Sequence, residues 1–279
     1  MNIDLHIHTI ATPHHSHWEP AALAAAAREA GIGVLAIADH NTTAQVRPMA
    51  AAAAAAGLRF IPGVELDTAF NGKLWHTLVY GVDPDDAGLL ALCEAVVTRN
   101  RADAQALLAA MRADGAALPS LAQIAASREP NLADVAHALV RDGVWPREAG
   151  AEDEAAGMAY LLRHRPAAYN PLSVAMVAEV AHAAGGLAVL AHPGREKSVY
   201  AIPADEADIA ALAAAGLDGL EVSYPTHTPE QEAFFRAQAA RHGLLITAGN
   251  DSHGPKNPLG RYPAADYAAF LERVGSGGF

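Results

Sequence analysis

The sequence predicts an α/β chain of alternating strands and helices with one helical stretch inserted, and three observations carry that expectation. Short apolar runs recur between alanine-rich amphipathic stretches. Several of these runs end on Asp, Glu or His. Between residues 84 and 171 the alternation stops, and helical periodicity broken by Pro and Gly takes its place. Regular strand and helix units argue for a parallel sheet or barrel with its chemistry at the carboxyl ends of the strands.

Taken in order, residues 4–9 (Asp4-Leu5-His6-Ile7-His8-Thr9) read as a strand. Its side-chain period of two sends His6 and His8 to one face, where they can grip one ion or simply pack in a core. A His-rich loop, Thr12 to His17, leads to Glu19-Pro20, which opens a helix ending near Gly31. A buried strand over 33–38 ends on Asp39-His40. A helix over 43–56 is closed by Gly57, the strand 59–61 carries Glu65 at its end, and a strand over 74–81 contains His76.

The inserted stretch holds helices over 87–113 and 132–142. Alternation then resumes with a helix over 173–184 and the strand 187–191, ending in His192-Pro193-Gly194-Arg195. A helix over 205–215, a strand over 219–222, a helix over 229–242 and a strand over 244–247 follow. The last of these runs into Gly249-Asn250-Asp251-Ser252-His253, and a short helix over 266–274 closes the chain. The expected division is one domain from residues 1–83 and 172–279, with 84–171 as a helical insertion.

Composition narrows the function. The 279 residues are 52% hydrophobic, enough for a sizeable core, and a formal net charge of -12 with no Lys/Arg block argues against nucleic acid or an anionic membrane as partner. Cys93 is the single cysteine, so no disulfide forms within the chain, and a reducing cytoplasm is the expected compartment. The HxH strand at the very start leaves no room for a signal peptide, and no apolar run approaches the roughly 18 to 20 residues of a membrane span.

Hard and borderline metal ligands stand at successive strand ends: His6 and His8, His40, Glu65, His192, and Asp251 with His253, with His76 inside another strand. Imidazole and carboxylate together suit Zn, Mn or Fe, and the absence of Cys ligands argues against a closed structural zinc site. Each residue alone is commonly a satisfied polar group. Their recurrence at the same end of consecutive strands points to a metal centre.

These motifs resemble the PHP (polymerase and histidinol phosphatase) metal-dependent phosphoesterases. The resemblance rests on Asp4 to Thr9, Ala38-Asp39-His40, Gly63-Val64-Glu65, His76, Ala191 to Arg195 and Asn250 to Gly254. It implies a distorted (β/α)7 TIM-like barrel with a helical cap and two or three divalent ions, Mn, Zn or Fe, at its mouth. By motif, one ion takes His6, His8, Glu65 and Asp251, with Glu65 bridging to another held by His76 and His192. A third takes His40, His253 and a loop histidine, for which His14 is selected and His15 and His17 are held in reserve. The implied activity is hydrolysis of a small phosphoester, a nucleotide or sugar phosphate mono-, di- or cyclic ester, by a metal-activated hydroxide. Asp251 both binds an ion and accepts the water's proton. Arg195 pairs with phosphate oxygens, as its planar fork suits, and His227 touches substrate.

Related members often carry an Arg-x-His pair where this chain has Leu132 and Asp134. Loss of that arginine is expected to weaken preference for a dianionic monoester, unless Lys73 or Arg128 restores the charge. Two other readings use the same residues: metal-dependent hydrolysis of a carboxyl ester, lactone or amide, for which Arg195 is superfluous, and a non-catalytic binding module of the same fold.

Overall fold

The computed structural model describes residues 1–11, 16–146, 153–197 and 201–275. The chain divides into two compact units. One comprises Met1–Glu94, Leu172–Arg195 and Pro203–Phe279, and the other Ala95–Pro171 and Glu196–Ile202.

The first unit runs through β1 (Asn2–Asp4), α1 (Pro20–Glu29), β2 (Ile32–Ala36), α2 (Val46–Ala56), β3 (Arg59–Ile61), β4 (Gly63–Phe70) and β5 (Lys73–Tyr80). Helix α3 (Ala87–Ala113) passes from this unit into the second, which also holds α4 (Leu121–Ala125), α5 (Leu132–Arg141) and α6 (Asp153–His164). The first unit resumes with β6 (Leu172–Ser173), α7 (Val174–Ala183), β7 (Leu187–Leu190), α8 (Glu206–Ala214), β8 (Gly219–Ser223), α9 (Pro229–His242), β9 (Leu245–Ala248), β10 (Tyr262–Pro263) and α10 (Ala268–Gly275).

The α/β class follows the sequence expectation. The strands form two sheets, ordered β10-β1-β2-β3 and β6-β4-β5-β7-β8-β9, rather than one closed ladder. Short backbone links join the two where strands end. Leu5 N donates to Ala248 O at 3.0 Å and His8 N to Ser252 O at 2.9 Å, while within the first sheet Ala38 N donates to Ile7 O at 2.8 Å and prolongs the pairing of β1 with β2. Ile7 bridges Ser252, and His40 bridges Glu65, both parallel.

Two expectations are corrected. Glu65 does not end the 59–61 strand. Pro62, which has no N–H for a ladder, separates β3 from β4, and Glu65 lies within β4. Nor is the sheet wholly parallel, because β5 runs antiparallel to both β4 and β7. Asn71 and Gly72, with φ of 50° and 76°, make the two-residue turn between β4 and β5. Positive φ at both central positions belongs to the turn whose twist matches a hairpin, and two residues can only join antiparallel neighbours.

Along β2 and its extension, period two sorts the side chains. Val34, Ala36 and Ala38 pack with Ile3, Leu5, Tyr80, Val189 and Phe270, whereas Leu35 and Ile37 pack with Leu23, Val46 and Met49 from the covering helices. Strands buried on both faces read as continuous apolar runs, as these do.

The helical unit has its own core, including Leu107, Met111, Leu121, Leu132, Val135, Leu139 and Leu161. Asn131 and Asp134 form a reciprocal capping box at the start of α5. Gly157 of α6 lies against α5, where a Cβ would come within 1.9 Å of the Ala136 carbonyl oxygen. Leu132 is 1% exposed and belongs to this core, so it has no exposed side chain to offer a substrate. Asp134 takes both guanidinium arms of Arg128, at 2.7 and 2.8 Å. Lys73 is held by Asp208 at 2.6 Å. Both cations are thus held by carboxylates of their own unit.

Candidate metal centre

Eight predicted residues converge at the strand ends of the first unit. His6 and His8 continue β1 in extended backbone that bridges to Ser252, His40 follows β2, Glu65 and His76 lie on β4 and β5, His192 follows β7, and Asp251 and His253 follow β9. Glu65, 1% exposed, is the centre of the group. Five imidazole nitrogens surround its carboxylate: His76 Nδ1 at 2.9 Å and His192 Nε2 at 3.3 Å on one side, with His40 Nδ1 at 3.2 Å and the Nε2 atoms of His6 and His8 at 3.3 Å on the other. Asp251 Oδ1 lies 3.0 Å from His8 Nε2.

A carboxylate cannot satisfy so many imidazoles by hydrogen bonds alone. The Nε2 atoms of His6 and His8 face each other at 3.2 Å, and Nε2 of His192 is buried without a hydrogen bond of acceptable geometry. Such atoms in a buried site are costly unless a cation meets them. Two donors each about 2.1 Å from one ion stand roughly 3.0 to 3.4 Å apart at tetrahedral or octahedral angles, which is the spacing seen here. Three triads have ligand atoms within 4.8 Å of one another: His8, His40 and His253; His6, His8 and Asp251; and His40, Glu65 and His76. The residues therefore fit divalent ions.

The electrostatics divide these histidines, those nearest the carboxylates (His6, His8 and His76) being raised and the others lowered. Burial lowers the His192 imidazole to about 3 and, with the neighbouring His8, lowers His253 to about 4. Both are thus neutral nitrogen donors at ordinary pH. Burial also opposes charge at His8, but hydrogen bonds to Asp251 and Glu65 outweigh it and raise the ring to about 9. Despite burial, the surrounding histidines hold Glu65 and Asp251 well below the usual carboxylate range. Asp251 and His192 have φ of 52° and 31°, a strained backbone of the kind that clusters at functional sites.

Arg195 joins this group: its Nη1 lies 3.6 Å from Asp251 Oδ2. His227 does not join it as expected. Its Nδ1 bonds to the Val222 carbonyl at 2.7 Å and its Nε2 accepts from Gly194 N at 2.9 Å, which leaves neither ring nitrogen for a substrate. It clamps the Pro193-Gly194 corner instead. His14 and His15 lie outside the described residues. The backbone N of His17 donates to the His253 carbonyl oxygen at 2.8 Å.

Sequence reasoning missed four polar supports. Tyr224 donates its hydroxyl to Asp251 Oδ2 at 3.0 Å. Asp67, two residues along the strand from Glu65, brings Oδ1 to 3.6 Å from His76 Nε2. Asp39 accepts both the amide and the hydroxyl of Thr9 at 2.6 Å. Glu221, fully buried on β8, faces His6 Nδ1 at 3.0 Å. For Asp67 the period-two spacing from Glu65 was a usable signal. The others touch partners too distant in the chain to be read.

A strand-end cluster of His, Glu and Asp on an α/β scaffold defines a metallohydrolase-type centre, and comparison with known proteins gives it a family. The PHP domain profile matches residues 4–127. The chain is 31% identical over 270 residues to the 5′-3′ exoribonuclease Rnm of Escherichia coli, covering 90% of this chain and 85% of the relative. It is 29% identical to the 3′,5′-nucleoside bisphosphate phosphatase of Chromobacterium violaceum, over 91% of this chain and 88% of that one. A crystal structure from Bifidobacterium adolescentis assigned to the metal-dependent phosphoesterases superposes with a TM-score of 0.73 at 27% identity, covering 97% of this chain and 96% of that chain. The chain belongs to the PHP family.

Proposed function

We propose that this chain hydrolyses phosphoester bonds of nucleotides, and that the group gathered around Glu65 carries the reaction. The chain is a metal-dependent phosphoester hydrolase. The observation that carries the finer reading is the convergence of five imidazoles on Glu65 beside Arg195. His6, His8, Glu65 and Asp251 would hold one ion, Glu65, His76 and His192 a second, and His40 and His253 a third with a loop residue, for which His14 is proposed. Mn, Zn or Fe each suits such ligands.

Bound ions of this kind supply hydroxide near neutral pH and neutralise charge on phosphoryl oxygens. The protein groups do the rest. Arg195 orients the phosphate through its guanidinium fork. Asp251 takes the attacking water's proton at Oδ2, the oxygen that Tyr224 holds at 3.0 Å. A carboxyl ester or amide offers no phosphate oxygens to the Arg195 fork, which favours phosphate, and every expected ligand among the described residues lies in the cluster, which favours an enzyme over a binding module.

The strand ring that supports this site is proposed to be a distorted (β/α)7 barrel, formed by β1, β2, β4, β5, β7, β8 and β9. Residues 1–83 and 172–279 make the barrel domain and 84–171 its insertion. No described helix is long and apolar enough to cross a membrane.

Relatives' names contain a nucleoside bisphosphate, RNA and a cyclic sugar phosphate, and the first two are the nucleotide esters proposed here. With a net charge of -12 the chain lacks a sequence-independent grip on a long polyanion. An RNA substrate is therefore engaged at its end. The test is a panel of nucleoside monophosphates, a 3′,5′-bisphosphate, short 5′-phosphorylated oligoribonucleotides and carboxyl esters, with kcat/KM for each. Turnover is expected for a nucleotide phosphoester and absent for the carboxyl esters. Turnover confined to the carboxyl esters would overturn the reading.

A further inference from the structure

We infer that Glu221 is a positioning residue for the metal centre, fixing which nitrogen of His6 faces the ions and holding the strained corner at His192. The inference rests on the proposed metal-binding role of His6 and His192 and goes beyond it to a residue outside the ligand set.

Glu221 is completely buried, as is His6. Its Oε1 and Oε2 lie 3.0 and 3.2 Å from His6 Nδ1, and Oε2 also accepts the backbone N–H of His192 at 2.8 Å. One carboxylate thus receives two donors from two ligand-bearing segments. The acceptance at Nδ1 sets the His6 tautomer. Its proton stays on the side of β8, and Nε2, which faces His8, Glu65 and Asp251 at 3.2, 3.3 and 3.7 Å, keeps its lone pair for an ion. The second contact pins the amide of His192, whose φ of 31° an L residue adopts only when its surroundings impose it.

Neighbouring packing is built around this carboxylate. A Cβ on Gly249 would come within 2.6 Å of Glu221 Oε1 and 2.2 Å of the His6 Cβ, so only glycine lets β9's end pass. Buried carboxylates are expensive, and this one sits where both of its partners are donors.

Glutamine makes the requirement testable. Its amide has one oxygen and one NH2, and both neighbours are N–H groups. Either the contact to His192 is lost, or the NH2 donates to His6 Nδ1 and drives the His6 proton onto Nε2, the nitrogen that faces the centre. A merely structural glutamate would change stability without touching affinity or tautomer.

The experiment measures the apparent zinc affinity of the wild-type chain and of Glu221→Gln by competition with a chelator, with long-range 15N–1H NMR of the His6 ring in the zinc-loaded wild type. The expected result is a loss of about 10- to 100-fold in affinity in the variant and a proton on Nδ1 of His6 in the wild type. Equal affinity in a folded Glu221→Gln, beside a wild type that binds zinc, overturns the role of Glu221 alone. A wild type that takes up no ion overturns the proposed function and this inference with it. If the variant fails to fold, the wild-type spectrum decides: a proton on Nε2 of His6 overturns the inference and one on Nδ1 supports it.

Discussion

At Asp251 the two carboxylate oxygens have different neighbours, and that asymmetry organises the proposed chemistry. Oδ1 faces His8 at 3.0 Å, and Oδ2 faces the Tyr224 hydroxyl and, at 3.6 Å, Arg195 Nη1. Arg195 therefore reaches the same oxygen from which a proton would be managed, and a phosphate drawn to its fork would lie beside the reacting water. A charge-assisted hydrogen bond contributes about 1.5 to 3 kcal/mol, and each 1.4 kcal/mol is a factor of ten. Arg195→Ala should thus lower kcat/KM for a phosphoester by roughly 10- to 100-fold, and Arg195→Lys should recover only part of it, because a point charge lacks the fork. Equal kcat/KM in wild type and Arg195→Ala would remove the arginine from the site. The proposed ligands were legible because most of them stand beside a strand's end in a short motif, Glu65 and His76 lying instead within β4 and β5. Glu221 was not, since its partners lie 215 and 29 residues away and nothing in Gly219 to Ser223 distinguishes a buried acid from an edge one.

Among the elements, α5 shows where reading a chain by correspondence stops. Its boundaries nearly coincide, 132–142 from sequence and Leu132–Arg141 in the structure, and Asn131, which caps it, was a further usable signal. The direction of Leu132 was not legible, because a helix face is chosen by what packs on it. Its side chain lies in the helical unit's core with Leu107, Met111 and Val135. Placing a guanidinium there buries an unpaired charge and displaces packed apolar atoms, so Leu132→Arg should destabilise the chain by about 2 to 5 kcal/mol rather than tune substrate charge. Urea unfolding checks the first outcome and the monoester-to-diester kcat/KM ratio the second. A variant of unchanged stability with an altered ratio would return Leu132 to the substrate. The β4–β5 hairpin was legible too: Asn71-Gly72 between apolar stretches is a two-residue turn signal, and reading it would have placed Glu65 inside a strand.

For the whole molecule, the order of secondary-structure elements and the set of metal-type residues were visible in the sequence, because hydrophobic periodicity and short motifs are local. The links between the two sheets were not, since those such as Leu5 to Ala248 and His40 to Glu65 are made by residues far apart or only at strand ends. What those links accomplish is to bring β1, β2, β4, β5, β7 and β9 to one focus, Glu65. The central claim is that this focus holds the ions on which hydrolysis depends. It is tested most directly by measuring metal content and phosphoester hydrolysis together, in the wild type as purified, after chelation, after return of Mn, Zn or Fe, and in Glu65→Ala. Chelation is expected to abolish turnover, return of an ion to restore it in the wild type only, and folded Glu65→Ala to hold less metal and be inactive. Hydrolysis that survives chelation, or persists in Glu65→Ala, would contradict the claim.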